Sequence, residues 1–78
     1  MNIQEEVIKI MDREAPHHSI RDENSKGLPF GDVGLDSLDL MTIMMAIQEK
    51  INVDIPDEDI PLLNTFLELV DYVKRKKH

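Results

Sequence analysis

No cysteine occurs among the 78 residues of the chain. Disulfides, thiolate metal sites and a cysteine nucleophile are thereby excluded, so any thiol chemistry must come from a cofactor or a partner. No hydrophobic run reaches the length that a membrane span requires. The opening residues, Met-Asn-Ile-Gln-Glu-Glu, turn acidic early and lack the basic start and apolar stretch of a signal peptide, so a cytoplasmic protein is expected. Positive charge is scarce until the chain ends. Lys74, Arg75, Lys76 and Lys77 form a basic tail, whereas residues 1–73 carry 16 acids against 5 bases. Within residues 31–60 there are eight acids and one base, Lys50. Such a stripe disfavours nucleic acid and anionic membranes and favours partners with basic faces. The whole-chain charge of −7 needs only solubility to explain it; the local asymmetry points to partners. Repeats and low-complexity segments are also missing.

The hydrophobic fraction of 41% is enough for a folded chain. The length suits one domain, residues 1–78, with a core that is only marginally stabilising. Ile3, Val7, Ile10 and Met11 recur at helical spacing, with Glu14 continuing the same line. They predict a first helix over residues 2–14, with Asn2 as its cap and Glu5 and Glu6 at its positive end. Residues 15–35 contain Pro16, Gly27, Pro29, Gly31 and Gly34, which predict a long connection. Ile20, Leu28, Phe30, Val33 and Leu35 are expected to anchor it, making it an ordered loop across the bundle. His17 and His18 lie in this loop without a third ligand at a recognisable spacing, so solvated histidines are expected and no metal.

A second helix is expected over residues 37–51, ended by Asn52. One of its stripes, Leu40, Ile43, Met44, Ile47 and Ile51, suffices to hold it in a bundle. A second, Leu38, Met41 and Met45, lies near Ser37. It either widens the core or grips a partner or an acyl chain, contacts that methionine suits. Val53 and Ile55 are expected to be extended before Pro56, which opens a short helical turn kept brief by Pro61. The acids around it lack the spacing and central glycine of a calcium loop. The last helix is expected over residues 64–76, with Phe66, Leu69, Val70 and Val73 on its apolar face. Its cap is either Asn64 or a Thr65–Glu68 capping box. The expected fold is all-α: a bundle of three main helices plus one short helix, with the long loop between the first and second.

The stretch Gly34-Leu35-Asp36-Ser37-Leu38-Asp39-Leu40-Met41 is where function concentrates. Asp36 is a good N-cap and Asp39, three residues on, resembles a capping-box partner. Ser37 is then the first helical residue, its hydroxyl accessible beside unpaired amides. Those amides and the helix dipole would favour an attached phosphate, although Asp36 and Asp39 repel it. A nucleophilic enzyme is not indicated. The Gly-x-Ser-x-Gly elbow is missing, and the residues around Ser37 are carboxylates with no histidine. If Ser37 is modified, another protein activates it. A cofactor-free acidic helical adaptor, gripping a partner through the second helix and using Ser37 as a plain cap residue, is the alternative.

Taken with Asp54-Ile55-Pro56-Asp57-Glu58-Asp59, Asn64-Thr65-Phe66 and Val70-Asp71-Tyr72-Val73, this stretch resembles an acyl carrier protein over essentially its full length. The resemblance implies that Ser37 carries 4′-phosphopantetheine, moved from coenzyme A by a magnesium-dependent phosphopantetheinyl transferase. The arm's thiol would hold acyl groups as thioesters, and the chemistry would occur in partner enzymes with basic docking faces. Asp36, Leu38, Asp39, Met41, Met45 and Glu49 are the expected recognition surface on a monomeric carrier and shuttle. Asp36 resembles acyl carriers rather than peptidyl carriers, which often have histidine before the serine. Thr42, Gln48 and Lys50 stand where housekeeping fatty-acid carriers tend to have glutamate. That departure implies a specialised carrier in polyketide or another lipid pathway.

Overall fold

The computed structural model describes residues 2–77. Three α-helices carry the fold: α1 (Ile3–Glu14), α2 (Ser37–Ile51) and α3 (Phe66–Lys77). Helix α1 packs against both of the others. Each begins on a side-chain cap. Asn2 accepts the N–H of Glu5 at 3.1 Å, satisfying a donor that the first turn of α1 leaves unpaired. At α3 the expected alternatives resolve in favour of the Thr65–Glu68 box. Thr65 Oγ1 accepts the N–H of Glu68 at 3.1 Å, and Glu68 Oε1 accepts the N–H groups of Thr65 and Asn64 at 3.1 and 3.0 Å. The helix proper therefore starts at Phe66, two residues later than the sequence pattern suggests. Helix α2 ends at Asn52, which takes φ = 64°. Asparagine tolerates this left-handed conformation better than most side chains do.

The core joins one face of each helix. Val7 and Met11 of α1, Ile43, Met44 and Ile47 of α2, and Phe66, Leu69 and Val73 of α3 are almost completely buried. The extended segment after α2 contributes Val53 and Ile55, as expected. The short helical element is a 3-10 turn over Asp57–Leu62, with Pro56 before it and Pro61 inside it.

The loop between α1 and α2 is more structured than a plain connection. It contains 3-10 turns at Glu23–Ser25 and Phe30–Val33. Ala15, Ile20, Phe30, Val33 and Leu35 fasten it to the core, whereas Leu28 is 40% exposed and is not an anchor. Backbone hydrogen bonds complete the fastening. Phe30 N–H donates to Asn64 O at 2.9 Å, and Leu67 N–H donates to Lys26 O at 3.3 Å. An isolated bridge pairs Pro29 with Thr65, and no strand occurs among the described residues.

His17 is exposed, as expected, but His18 departs from the expectation of solvation. The His18 side chain is buried: Nε2 donates to Asp12 Oδ1 at 2.8 Å and Nδ1 accepts the N–H of Ile20 at 3.0 Å. Arg21 reaches the other oxygen of Asp12 at 2.6 Å, and this contact first, with His18 after it, holds the Asp12 carboxyl below its usual range. The loop is thus clamped onto α1 by one ring. A side chain that makes two local hydrogen bonds is well satisfied in such a position.

Candidate functional site

The start of α2 is built by two aspartates. Asp36 Oδ1 accepts the N–H of Asp39 at 2.8 Å, and Asp39 Oδ2 accepts the N–H of Asp36 at 3.2 Å. This reciprocal box satisfies two donors at the helix end. It leaves Ser37, the first residue of α2, exposed and outside the cap. The hydroxyl is accordingly available as an attachment point. The backbone just before it turns sharply at Gly34, where φ is +88°. That region strains any residue bearing a Cβ.

The structure brings a histidine to this site that lies far from it in the chain. His17 Nε2 lies 3.1 Å from Asp39 Oδ2, across 22 positions of sequence. The expectation of carboxylates without histidine around Ser37 is thereby corrected. No sequence spacing signals the contact, because the loop path creates it. The hydrogen bond from the Asp36 backbone, then the His17 contact, hold the Asp39 carboxyl below its usual range. Among the described residues no hydrogen bond joins His17 to Ser37, so no serine–histidine pair for nucleophilic attack is formed. No group of three or more metal-ligating side chains forms among the described residues.

The second stripe of α2 does not widen the core. Leu38, Met41 and Met45 are 70%, 57% and 67% exposed. They run from Ser37 along the helix with exposed Asp36 before them and exposed Glu49 at the far end, while Asp39 is half-buried and turned to the cap and His17. An apolar ridge of this kind, flanked by acids, suits a partner with apolar and basic groups. Met45 also borders a groove of about 560 Å³ between α1 and α2, which includes Arg13 and Lys50. The face is therefore acidic at the serine and of mixed charge at its far end.

Gln48 belongs to the structure rather than to that face. Its Nε2 donates to Met44 O at 3.3 Å and its Oε1 accepts the N–H of Ile55 at 3.2 Å. The fold uses it to fasten the extended segment to α2.

Residues 3–73 match the family described as a phosphopantetheine attachment site. An acyl carrier protein of Rickettsia bellii is 37% identical, over 97% of this chain and 93% of its own length. The mitochondrial acyl carrier protein of Saccharomyces cerevisiae is 35% identical over 87% of this chain, the match spanning 54% of the yeast protein. An acyl carrier protein of Syntrophobacter fumaroxidans is 41% identical over 59% of this chain and 57% of its own length. For the yeast and Syntrophobacter proteins, the match thus covers little more than half of the relative. The cofactor is 4′-phosphopantetheine, and the exposed serine at the capped helix start has a hydroxyl of the chemistry that such a group needs. No helix among the described residues is long and apolar enough to cross a membrane, and the mitochondrial relative leaves the compartment open. The chain belongs to the acyl carrier protein family.

Proposed function

We propose that Ser37 is the attachment point of the 4′-phosphopantetheine arm and that the protein, a single carrier domain over residues 1–78, shuttles acyl groups as thioesters. The observation that carries this is the division of labour at the helix start. Asp36 and Asp39 make the cap, and Ser37 stands exposed and uninvolved between them. Attachment joins Ser37 Oγ to the pantetheine-side phosphorus of coenzyme A and releases the nucleotide half, leaving a phosphodiester. The chain contains no base hydrogen-bonded to Ser37 among its described residues, which agrees with activation by a separate transferase. The protein is then a carrier and substrate, not an enzyme, and acts as a monomer.

Partners are phosphopantetheinyl transferase and enzymes that load, modify or unload acyl groups in fatty acid, polyketide or related lipid biosynthesis. Their basic faces would meet Asp36, Asp39 and Glu49, while apolar groups cover Leu38, Met41 and Met45. Charge would steer the encounter, and the apolar contacts would lengthen the complex's lifetime. Arg13 and Lys50, with Glu14 and Glu49 in the same groove beside Met45, give the far end of the face mixed charge and favour a specialised partner that is not uniformly basic. A cytoplasmic location remains our proposal.

Intact-mass measurement after incubation with coenzyme A, magnesium and a broad-specificity transferase tests the reading, with Ser37→Ala alongside. One phosphopantetheinyl group is expected on the wild type and none on the folded variant. Failure of two transferases to load folded, unmodified protein would support the cofactor-free adaptor, for which Ser37→Ala would bind its partner almost normally.

A further inference from the structure

His17 is placed at the cap from two sides. Its Nε2 lies 3.1 Å from Asp39 Oδ2, the oxygen that also accepts the N–H of Asp36. Behind it stands Gly34, where an added Cβ would lie 3.5 Å from the His17 carbonyl oxygen and 3.8 Å from ring Cδ2. The ring thus touches the segment before Ser37 and the residue two places after it. Its side chain is 57% exposed, so it has room to meet a group added there.

The charges around this ring are few. From α2 it faces Asp39, with Asp36 behind. In the loop, His18 turns away to Asp12 and to the N–H of Ile20. From α1, Asp12 is engaged with His18 and Arg21. Among the described residues, no lysine or arginine pairs with Asp36 or Asp39. A phosphodiester on Ser37 would add a negative charge beside two carboxylates. The helix end offsets roughly half a charge, less than the three anions together carry.

We propose that His17 is the charge partner of the phosphodiester at Ser37. With the phosphate in place the protonated form of the ring is favoured, because it then faces the phosphate as well as the Asp39 carboxylate. The root of the arm is thereby biased toward the long loop, and His17 acts as a positioning residue. This inference rests on the reading of Ser37 as the attachment site. Coulomb's law gives the size: one negative charge at roughly 6–9 Å in a water-like dielectric multiplies the protonated-to-neutral ratio of an imidazole by about 2–3.

The test compares unloaded and fully loaded protein, confirmed by mass, at low ionic strength, where such an interaction is least screened. Histidine ring carbons and the phosphodiester phosphorus are followed by NMR between pH 5 and 9. His17 is expected to show the rise of about 2–3-fold in its protonated-to-neutral ratio at a fixed pH, with a smaller change at His18. The phosphorus resonance is expected to move over the same pH range in wild type and to lose that movement in His17→Gln, which replaces an exposed side chain. Full loading with an unchanged His17 ratio would overturn the proposal, as would a phosphorus titration that survives His17→Gln. If no mass is gained, the attachment reading itself falls and this inference falls with it.

Discussion

Glutamate at position 48 would restore the acid that housekeeping carriers tend to have, yet the structure predicts that it weakens the fold. In the wild type, Gln48 Nε2 donates to Met44 O at 3.3 Å while Oε1 accepts the N–H of Ile55 at 3.2 Å. A carboxylate keeps the second bond and loses the first, since it has no donor. The lost hydrogen bond costs about 0.5–1.5 kcal/mol. An acid in the last turn also opposes the helix dipole, by about 0.3–1 kcal/mol. Gln48→Glu should therefore lower stability by about 1–2.5 kcal/mol at neutral pH. Thr42→Glu, on the exposed middle of α2, should stay within about 0.5 kcal/mol of wild type. Lys50→Glu should fall between the two, because it removes a favourable last-turn base. Urea unfolding followed by helical circular dichroism measures all three. At about pH 4 the carboxyl introduced by Gln48→Glu takes up a proton and regains a donor, so its deficit against wild type at the same pH should shrink. Equal stabilities for Gln48→Glu and Thr42→Glu at neutral pH, or a deficit unaffected by acid, would refute this account.

Gly34→Ala should cost about 1 kcal/mol, because alanine is strained at φ = +88° while its Cβ meets His17 only at ordinary contact distance. Thermal unfolding would show this, and a neutral outcome would mean that the turn relaxes to negative φ. Tyr72 donates to Asp59 Oδ2 at 2.6 Å, and burial first, with that carboxylate after it, pushes the phenol up to about 12. The folded state therefore prefers the neutral phenol over one that ionises at about 10 when unfolded. Its contribution is complete below about pH 10 and is lost as pH rises toward 12. Tyr72→Phe should be less stable by about 1–2 kcal/mol at neutral pH, with the gap closing in alkali. A gap that persists at high pH would assign the effect to packing instead.

Local rules were enough to read the helices, their caps and the exposed place of Ser37 at the start of α2. Helical spacing of apolar residues, Asp36 three places before Asp39 and Thr65 before Glu68 are short-range patterns, and short-range geometry decides them. The apolar stripe of Leu38, Met41 and Met45 was equally visible, but its exposure was not. Whether a stripe is core or surface depends on which neighbouring helix covers it, and α1 and α3 leave this one bare. The remaining corrections involve residues distant in the chain or dependent on loop packing. His18 is buried because Asp12 and the N–H of Ile20 meet its ring, and Gln48 is structural because Ile55 returns to it. His17 joins the site only because the loop passes beside Gly34 and Asp39. Sequence spacing carries the periodicity of an element and the capacity of a side chain to pair. Which partner it meets is set by the path of the loop, and that path is stabilised by the core as a whole.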